Sequence, residues 1–263
     1  MTTKNPFKLG IALAGGGARG IAHIGVLKAL EENGIFPDCV SGTSAGSIIG
    51  ALYAAGRTPD EMLEFVVANS SLLKVVRFGL PTAGLTKLTA LREALDELIP
   101  EDSFESLKKP LFLAICNLTS GQLEVRNSGV LYDVVVASCS IPIIFQAITL
   151  DNQIYVDGGL MMNLPAEPLY ACCDKVLGVN VMPNVAVKND RLDGLMDIGM
   201  RCFEMTVAAN TELQLAMCHA IIEPKALYDF HPFAFSSYQE IFNIGYQYTM
   251  DKMGEIEEKL DLC

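Results

Sequence analysis

With 263 residues, 51% of them hydrophobic and 19% charged, the chain has ample length for a substantial core and too little polarity to stay disordered. Its 19 basic and 31 acidic residues leave a net charge of −12, which argues against nucleic-acid binding and against electrostatic adhesion to anionic lipid. Any contact with a membrane surface therefore has to be mainly apolar and transient.

The first apolar stretch, Leu9–Ala14, follows Lys4 and Lys8 and imitates a signal peptide, but six residues fall short of the usual ~7–15. Lys8–Ala14 reads instead as a buried strand. Gly15-Gly16-Gly17-Ala18-Arg19-Gly20 is a glycine-rich turn, and a helix follows from Ile21 to Asn33. A second strand, Cys39-Val40-Ser41, runs into Gly42-Thr43-Ser44-Ala45-Gly46 and another helix. Cys39 to Gly56 carries no charge, yet its four glycines and Ser41, Thr43, Ser44 and Ser47 suit a packed turn and helix better than a membrane span. This strand–helix–strand–helix opening predicts a parallel sheet with helices on its faces.

Thr58-Pro59-Asp60-Glu61 carries the signals of a helix start, and a second helix is expected from Thr86 to Ile99. Residues 58–108 thus form a helical excursion between strands. The apolar residues Leu72, Leu73, Val75, Val76, Phe78 and Leu80 make it either a cap over a site or a plain surface excursion. Pro110–Asn117 and Gln122–Arg126 predict a hairpin around Thr119-Ser120-Gly121, followed by a short helix over 130–138. Strands are expected at 146–150 and 154–156, the second ending in Asp157-Gly158-Gly159. A helix over 165–172 and a buried strand over 176–181 follow. In a long helix, the face formed by Leu192, Leu195, Met196, Gly199, Cys202, Phe203, Thr206 and Val207 reads as core. A last strand at 220–223 and a capping box at Ser237-Tyr238-Gln239-Glu240, opening a helix towards Leu260, complete the chain. The prediction is one three-layer α/β/α domain over residues 1–263 with a central, mostly parallel sheet. The eight cysteines show no C-x-x-C pair and read as reduced core residues of a cytoplasmic protein.

Three glycine-rich pieces follow strands, and loops at the carboxyl ends of parallel strands converge on one edge. Gly15, Gly17 and Gly20 spell G-x-G-x-x-G, which by itself suggests a nucleotide- or dinucleotide-binding module. The acidic partner expected near the end of the second strand is missing, since Asp38 precedes that strand. In its place stands a tight elbow in which Gly42 and Gly46 flank Ser44, which holds the hydroxyl at a helix N-terminus. For an acyl-transfer serine the amides of Gly15, Gly16, Gly17 and Ala18 would form an oxyanion hole, with Arg19 either holding that loop or facing solvent. Two ways of activating Ser44 remain open on the residues alone: a triad in the order Ser44, Asp157, His231, or direct proton transfer to Asp157.

Taken together, the motifs resemble those of the patatin-like phospholipases, in particular the compact bacterial type. Gly15–Gly20 resembles the family's oxyanion loop and Gly42–Gly46 its nucleophile elbow. Ala137-Ser138-Cys139-Ser140-Ile141-Pro142 is similar to its Ala-Ser-x-x-x-Pro segment, and Asp157-Gly158-Gly159 to its aspartate motif. The resemblance implies a patatin-like fold and a Ser44–Asp157 dyad without catalytic histidine, metal or cofactor. Gly42, Gly46, Gly158, Gly159 and Arg19 would support it. The implied substrate is a lipid ester (phospholipid, lysophospholipid or acylglycerol), met in the cytoplasm, peripherally at the inner membrane surface.

Overall fold

The computed structural model describes residues 5–74, 88–186 and 194–262. Its strands are β1 (Phe7–Leu13), β2 (Cys39–Gly42), β3 (Leu111–Asn117), β4 (Gln122–Arg126), β5 (Ile148–Leu150), β6 (Gln153–Asp157), β7 (Cys173–Val179) and β8 (Ala220–Ile222). They make one sheet in the order β5-β6-β3-β2-β1-β7-β8, with β4 paired to β3 off this path. The run β3-β2-β1-β7-β8 is parallel, whereas β4, β5 and β6 join by antiparallel pairing. The sheet is thus mixed and mostly parallel, as expected.

Strand periodicity of two divides the core between the sheet's faces. Ile11 and Leu13 of β1 point into the larger cluster, with helices α1 (Ala22–Glu32), α2 (Ala45–Ala54) and α8 (Tyr238–Asp251). Ala12 and Ala14 point the other way, into a smaller cluster that includes Leu164, Leu169 and Val176 and lies under α6 (Glu167–Tyr170). Helices thus cover both faces, and the strands between them are mostly apolar.

The excursion after α2 is anchored rather than detached. Helices α3 (Pro59–Lys74) and α4 (Thr89–Leu98) bury Met62, Val66 and Leu95 in the larger cluster. The start of α3 forms as predicted: Thr58 N–H donates to Glu61 at 2.8 Å and Glu61 N–H to Thr58 Oγ1 at 3.3 Å. The apolar segment proposed as a cap lies largely at 75–80, outside the described residues. Among the described residues, no helix is long and apolar enough to cross a membrane.

Two expectations are corrected. Helix α7 (Leu195–Leu215) does not bury the apolar stripe. Leu195 is 89% exposed, Cys202 and Thr206 are exposed, and of that face Val207 alone is deeply buried among the described side chains. The inward face is Val207, Asn210, Thr211 and Gln214, because this helix docks by donating and accepting hydrogen bonds. Gln214 accepts from the N–H groups of Ala166 and Glu167, and Asn210 bridges Gly159 and Asn163. Hydrophobic periodicity cannot detect a face that docks through amides. The capping box at Ser237 is also absent. Ser237 makes no side-chain cap, a 3-10 turn over Phe235–Ser237 leads into α8, and the predicted single helix is broken at Lys252 before α9 (Met253–Leu260).

Candidate active site

The site begins where β2 ends. The chain reverses at Ser44, whose φ of 52° and ψ of −124° are unusual for a residue with a side chain and cost about 1–3 kcal/mol. The surroundings hold it there. Ser44 N–H donates to Ser138 Oγ at 2.9 Å, and Ser138 donates in turn to Ala114 O at 2.8 Å. Ser44 O accepts from Ser47 N–H, Ser47 Oγ and Cys139 Sγ. The reversal is so tight that a methyl group at Gly42 would run into Gly46 O, and one at Gly46 into Leu13 O. These contacts, more than any need for positive φ, are why both positions lack a side chain.

Asp157 arrives by a route that differs from the expected one. Its strand, β6, runs antiparallel to β3, so its loop does not extend from the carboxyl end of a parallel strand. Register still brings it to the right height. Gly42 pairs with Leu113 and Asp157 with Ile115, two residues further along the same strand, which is the level of Ser44. There the Ser44 hydroxyl faces the Asp157 carboxylate closely enough to lower its proton affinity. Asp157 is 1% exposed and Ser44 7%. Burial pushes the Asp157 carboxyl up from 3.8 to about 7, against the opposing pull of the Gly159 N–H, 2.7 Å away, and of the Ser44 hydroxyl. Nearby Cys116 and Cys139 are neutral thiols, since burial first and the charge of Asp157 second push both up, Cys116 to about 12.

The glycine loop lies directly against the serine: a Cβ on Gly15 would stand 3.0 Å from Ser44 Cβ. Its amides are not equivalent. Gly15 N–H donates to Asn163 O at 3.1 Å and Ala18 N–H to Pro232 O at 2.7 Å. The N–H groups of Gly16 and Gly17 make no hydrogen bond among the described residues. Arg19 does not face solvent. It is buried, its Nε donates to Phe230 O at 2.8 Å, and its guanidinium lies over the Tyr228 ring. It ties the loop to the C-terminal part of the chain. Gly158 and Gly159 open the 3-10 turn after β6, held by Asn210 Nδ2 on Gly159 O at 2.9 Å.

Two residues that no sequence motif singles out complete the frame. Asn163 grips the glycine loop, with Gly15 N–H on its carbonyl and its own Nδ2 on Gly15 O at 3.3 Å. Asn210 joins Asn163 to the aspartate turn. Asparagines two segments apart carry no spacing signal that could have identified them. The histidines are occupied elsewhere. His23 is buried in α1 with Nε2 2.8 Å from Ala14 O, and burial lowers it to about 4. His219 Nδ1 accepts the Val176 N–H, and His231 Nδ1 that of Phe233. No imidazole stands between Ser44 and Asp157. Asp38 accepts the N–H groups of Lys8 and Leu9, so it is spent on the start of β1, and the nucleotide-binding reading gains no support.

Sheet order and elbow give a mixed, mostly parallel α/β scaffold that sets Ser44 and Asp157 side by side. The chain belongs to the patatin-like phospholipase family, whose model matches residues 11–170. It is 28% identical, over 96% of its length, to the mouse patatin-like phospholipase domain-containing protein 6, and covers 21% of that protein. It is 26% identical over 95% of its length to the lysophospholipase NTE1 of Pyricularia oryzae, covering 19% of it. The chain thus spans about a fifth of each of these relatives. In fold it resembles human GIVD cytosolic phospholipase A2, with a TM-score of 0.53, 12% identity, and coverage of 97% of this chain and 58% of that one.

Proposed function

We propose that this chain is a serine acyl hydrolase that cleaves carboxylic esters of lipids: phospholipids, lysophospholipids or acylglycerols. The observation that carries the reading is the register that sets Ser44, in its elbow, level with a buried Asp157 whose proton affinity is raised towards neutrality. An ordinary carboxylate, near 4, is a poor base for an alcohol; one shifted to about 7 is matched to working pH.

In this scheme Ser44 Oγ attacks the ester carbonyl and its proton passes to Asp157. The tetrahedral oxyanion is received by the Gly16 and Gly17 N–H groups, each such donor being worth about 3–4 kcal/mol. The positive end of α2 adds to the same field. Asp157 returns the proton to the departing alcohol, leaving an acyl-Ser44 ester, and then takes a proton from the water that hydrolyses it. Serine, aspartate and backbone amides handle every proton and charge, so metal independence is part of the proposal. So are one domain over 1–263, a capping role for 58–108, and a cytoplasmic enzyme that meets lipid peripherally through apolar contact.

The test is hydrolysis of a panel of phospholipid, lysophospholipid and acylglycerol esters, paired with labelling by a fluorophosphonate. Ser44→Ala is expected to abolish both, while His231→Ala stays active. Full labelling of Ser44→Ala would overturn the assignment of the nucleophile, and a folded wild-type protein inert towards every ester would overturn the reading as a whole.

A further inference from the structure

At the opposite end of β2 from Ser44, the structure gathers three sulfurs that the proposed ester chemistry does not use. Cys39 opens β2, Cys173 opens β7, and Cys172 precedes it. β1 runs between the two strands, and Gly10 on it provides the space: a Cβ there would stand 2.8 Å from Cys173 Sγ. All three Sγ atoms lie within 4.8 Å of one another, with Cys172 and Cys173 at 3.8 Å. Cys39 and Cys173 are buried, whereas Cys172 is half-buried and provides a way in.

Three sulfurs around one thiophilic centre at about 2.3 Å stand about 3.5 Å apart when it is pyramidal, as arsenic(III) is, and about 4 Å apart in a trigonal plane. The sulfurs already approach that spacing before any ion arrives. We propose that Cys39, Cys172 and Cys173 form a binding site for one thiophilic ion held by three sulfurs. The donor set excludes hard cations, which take oxygen ligands, and it is one ligand short of the four that structural zinc takes.

Arsenic(III) and Cu(I) are two centres that accept three thiolates, and the surroundings discriminate between them. Arsenite reacts as the trihydroxide: three As–S bonds form, three As–O bonds break, and each thiol proton leaves with a hydroxide as water. No electron is transferred and the product is neutral. Cu(I) displaces three protons to solvent and leaves a complex of net charge −2. The cluster sits among Leu169, Ala166, Val176 and Phe7, where an uncompensated charge is costly. The neutral arsenic(III) adduct is therefore the favoured occupant. Cys39 and Gly42 stand at opposite ends of β2, about 10 Å of strand apart, and Ser44 lies beyond Gly42, so ion binding is separable from ester chemistry.

The test uses the full-length chain carrying Ser44→Ala, reduced and anaerobic, titrated separately with sodium arsenite and with Cu(I). Arsenic and copper per chain are counted after desalting, and native mass spectrometry gives the adduct mass. One arsenic per chain is expected, with loss of three protons per adduct. Cys172→Ala, at the half-buried position where folding is least at risk, is expected to cut retention at least tenfold with an unchanged far-ultraviolet spectrum. Cys202→Ala and Cys218→Ala are expected to retain one ion. Retention of Cu(I) in place of arsenite, lost in the same variant, supports the three-sulfur site with the charged occupant. Retention of neither ion by the folded protein, or equal retention by Cys172→Ala, would overturn it.

Discussion

A carboxylate that is 1% exposed is held at odds with its own charge. The folded chain keeps the Asp157 proton up to about pH 7, whereas the unfolded chain releases it near 4. The contribution of this group to stability is therefore fully present below about pH 4 and is lost as pH rises to about 7, amounting to as much as ~4 kcal/mol. Asp157→Asn removes that loss. Its melting temperature is expected to exceed that of the wild type at about pH 8 and to approach it at about pH 4, measured by calorimetry at each pH, with ester hydrolysis abolished throughout. Equal shifts at both pH values would show that the carboxylate is not strained by burial. The same residue sets the activity profile: hydrolysis is expected to rise about tenfold per pH unit below the midpoint and level off above about 7, as the base gives up its proton. Both expectations concern a residue whose importance is legible in Asp157-Gly158-Gly159, but whose burial is not.

Among the elements, α7 is where pattern and structure part. Its apolar stripe includes the exposed Leu195, while amides make its inward contacts. Leu195→Ser is accordingly expected to shift stability by no more than about 0.5 kcal/mol. Asn210→Ala leaves the Asn163 N–H and the Gly159 O without their partner. It is expected to cost about 1–3 kcal/mol in chemical denaturation, and to lower kcat more than KM because it loosens the turn that carries Asp157. By contrast the capping signal at Thr58 and the β3–β4 hairpin are fully readable in the sequence, since each depends on near neighbours along the chain. Ser237 shows the limit of such signals, because a preceding 3-10 turn takes the place of the cap.

For the molecule as a whole, the family model ends at residue 170, yet the site leans on the C-terminal third of the chain. Arg19 reaches Phe230 O, Ala18 N–H reaches Pro232 O, and α8 supplies Ile241 and Phe242 to the cluster that buries α1. A chain ending at residue 186 lacks β8, α7, α8 and the 228–232 segment. It is expected to lose the cooperative unfolding transition in far-ultraviolet circular dichroism. The milder Arg19→Ala is expected to remain folded and to lose about 10-fold or more in kcat as the oxyanion amides lose their backing. An unaltered kcat there would separate the C-terminal segment from the chemistry.

By itself the sequence determined the local chemistry: a serine in an elbow too tight for side chains, a glycine-rich loop, an aspartate at a strand end, and the sheet-and-helix alternation that carries them. Those features are written in short-range sterics and hydrophobic period, which a linear reading can detect. The tertiary structure alone decided that β6 runs antiparallel yet places Asp157 level with Ser44, and that Gly16 and Gly17 keep their amides while Gly15 and Ala18 spend theirs. It also decided that Asn163 and Asn210 bind the glycine loop and the aspartate turn together, and that three cysteines at the starts of two strands lie side by side. Register and hydrogen-bond partners between distant segments arise only when the sheet closes, because no residue carries a mark of the group that will lie opposite it.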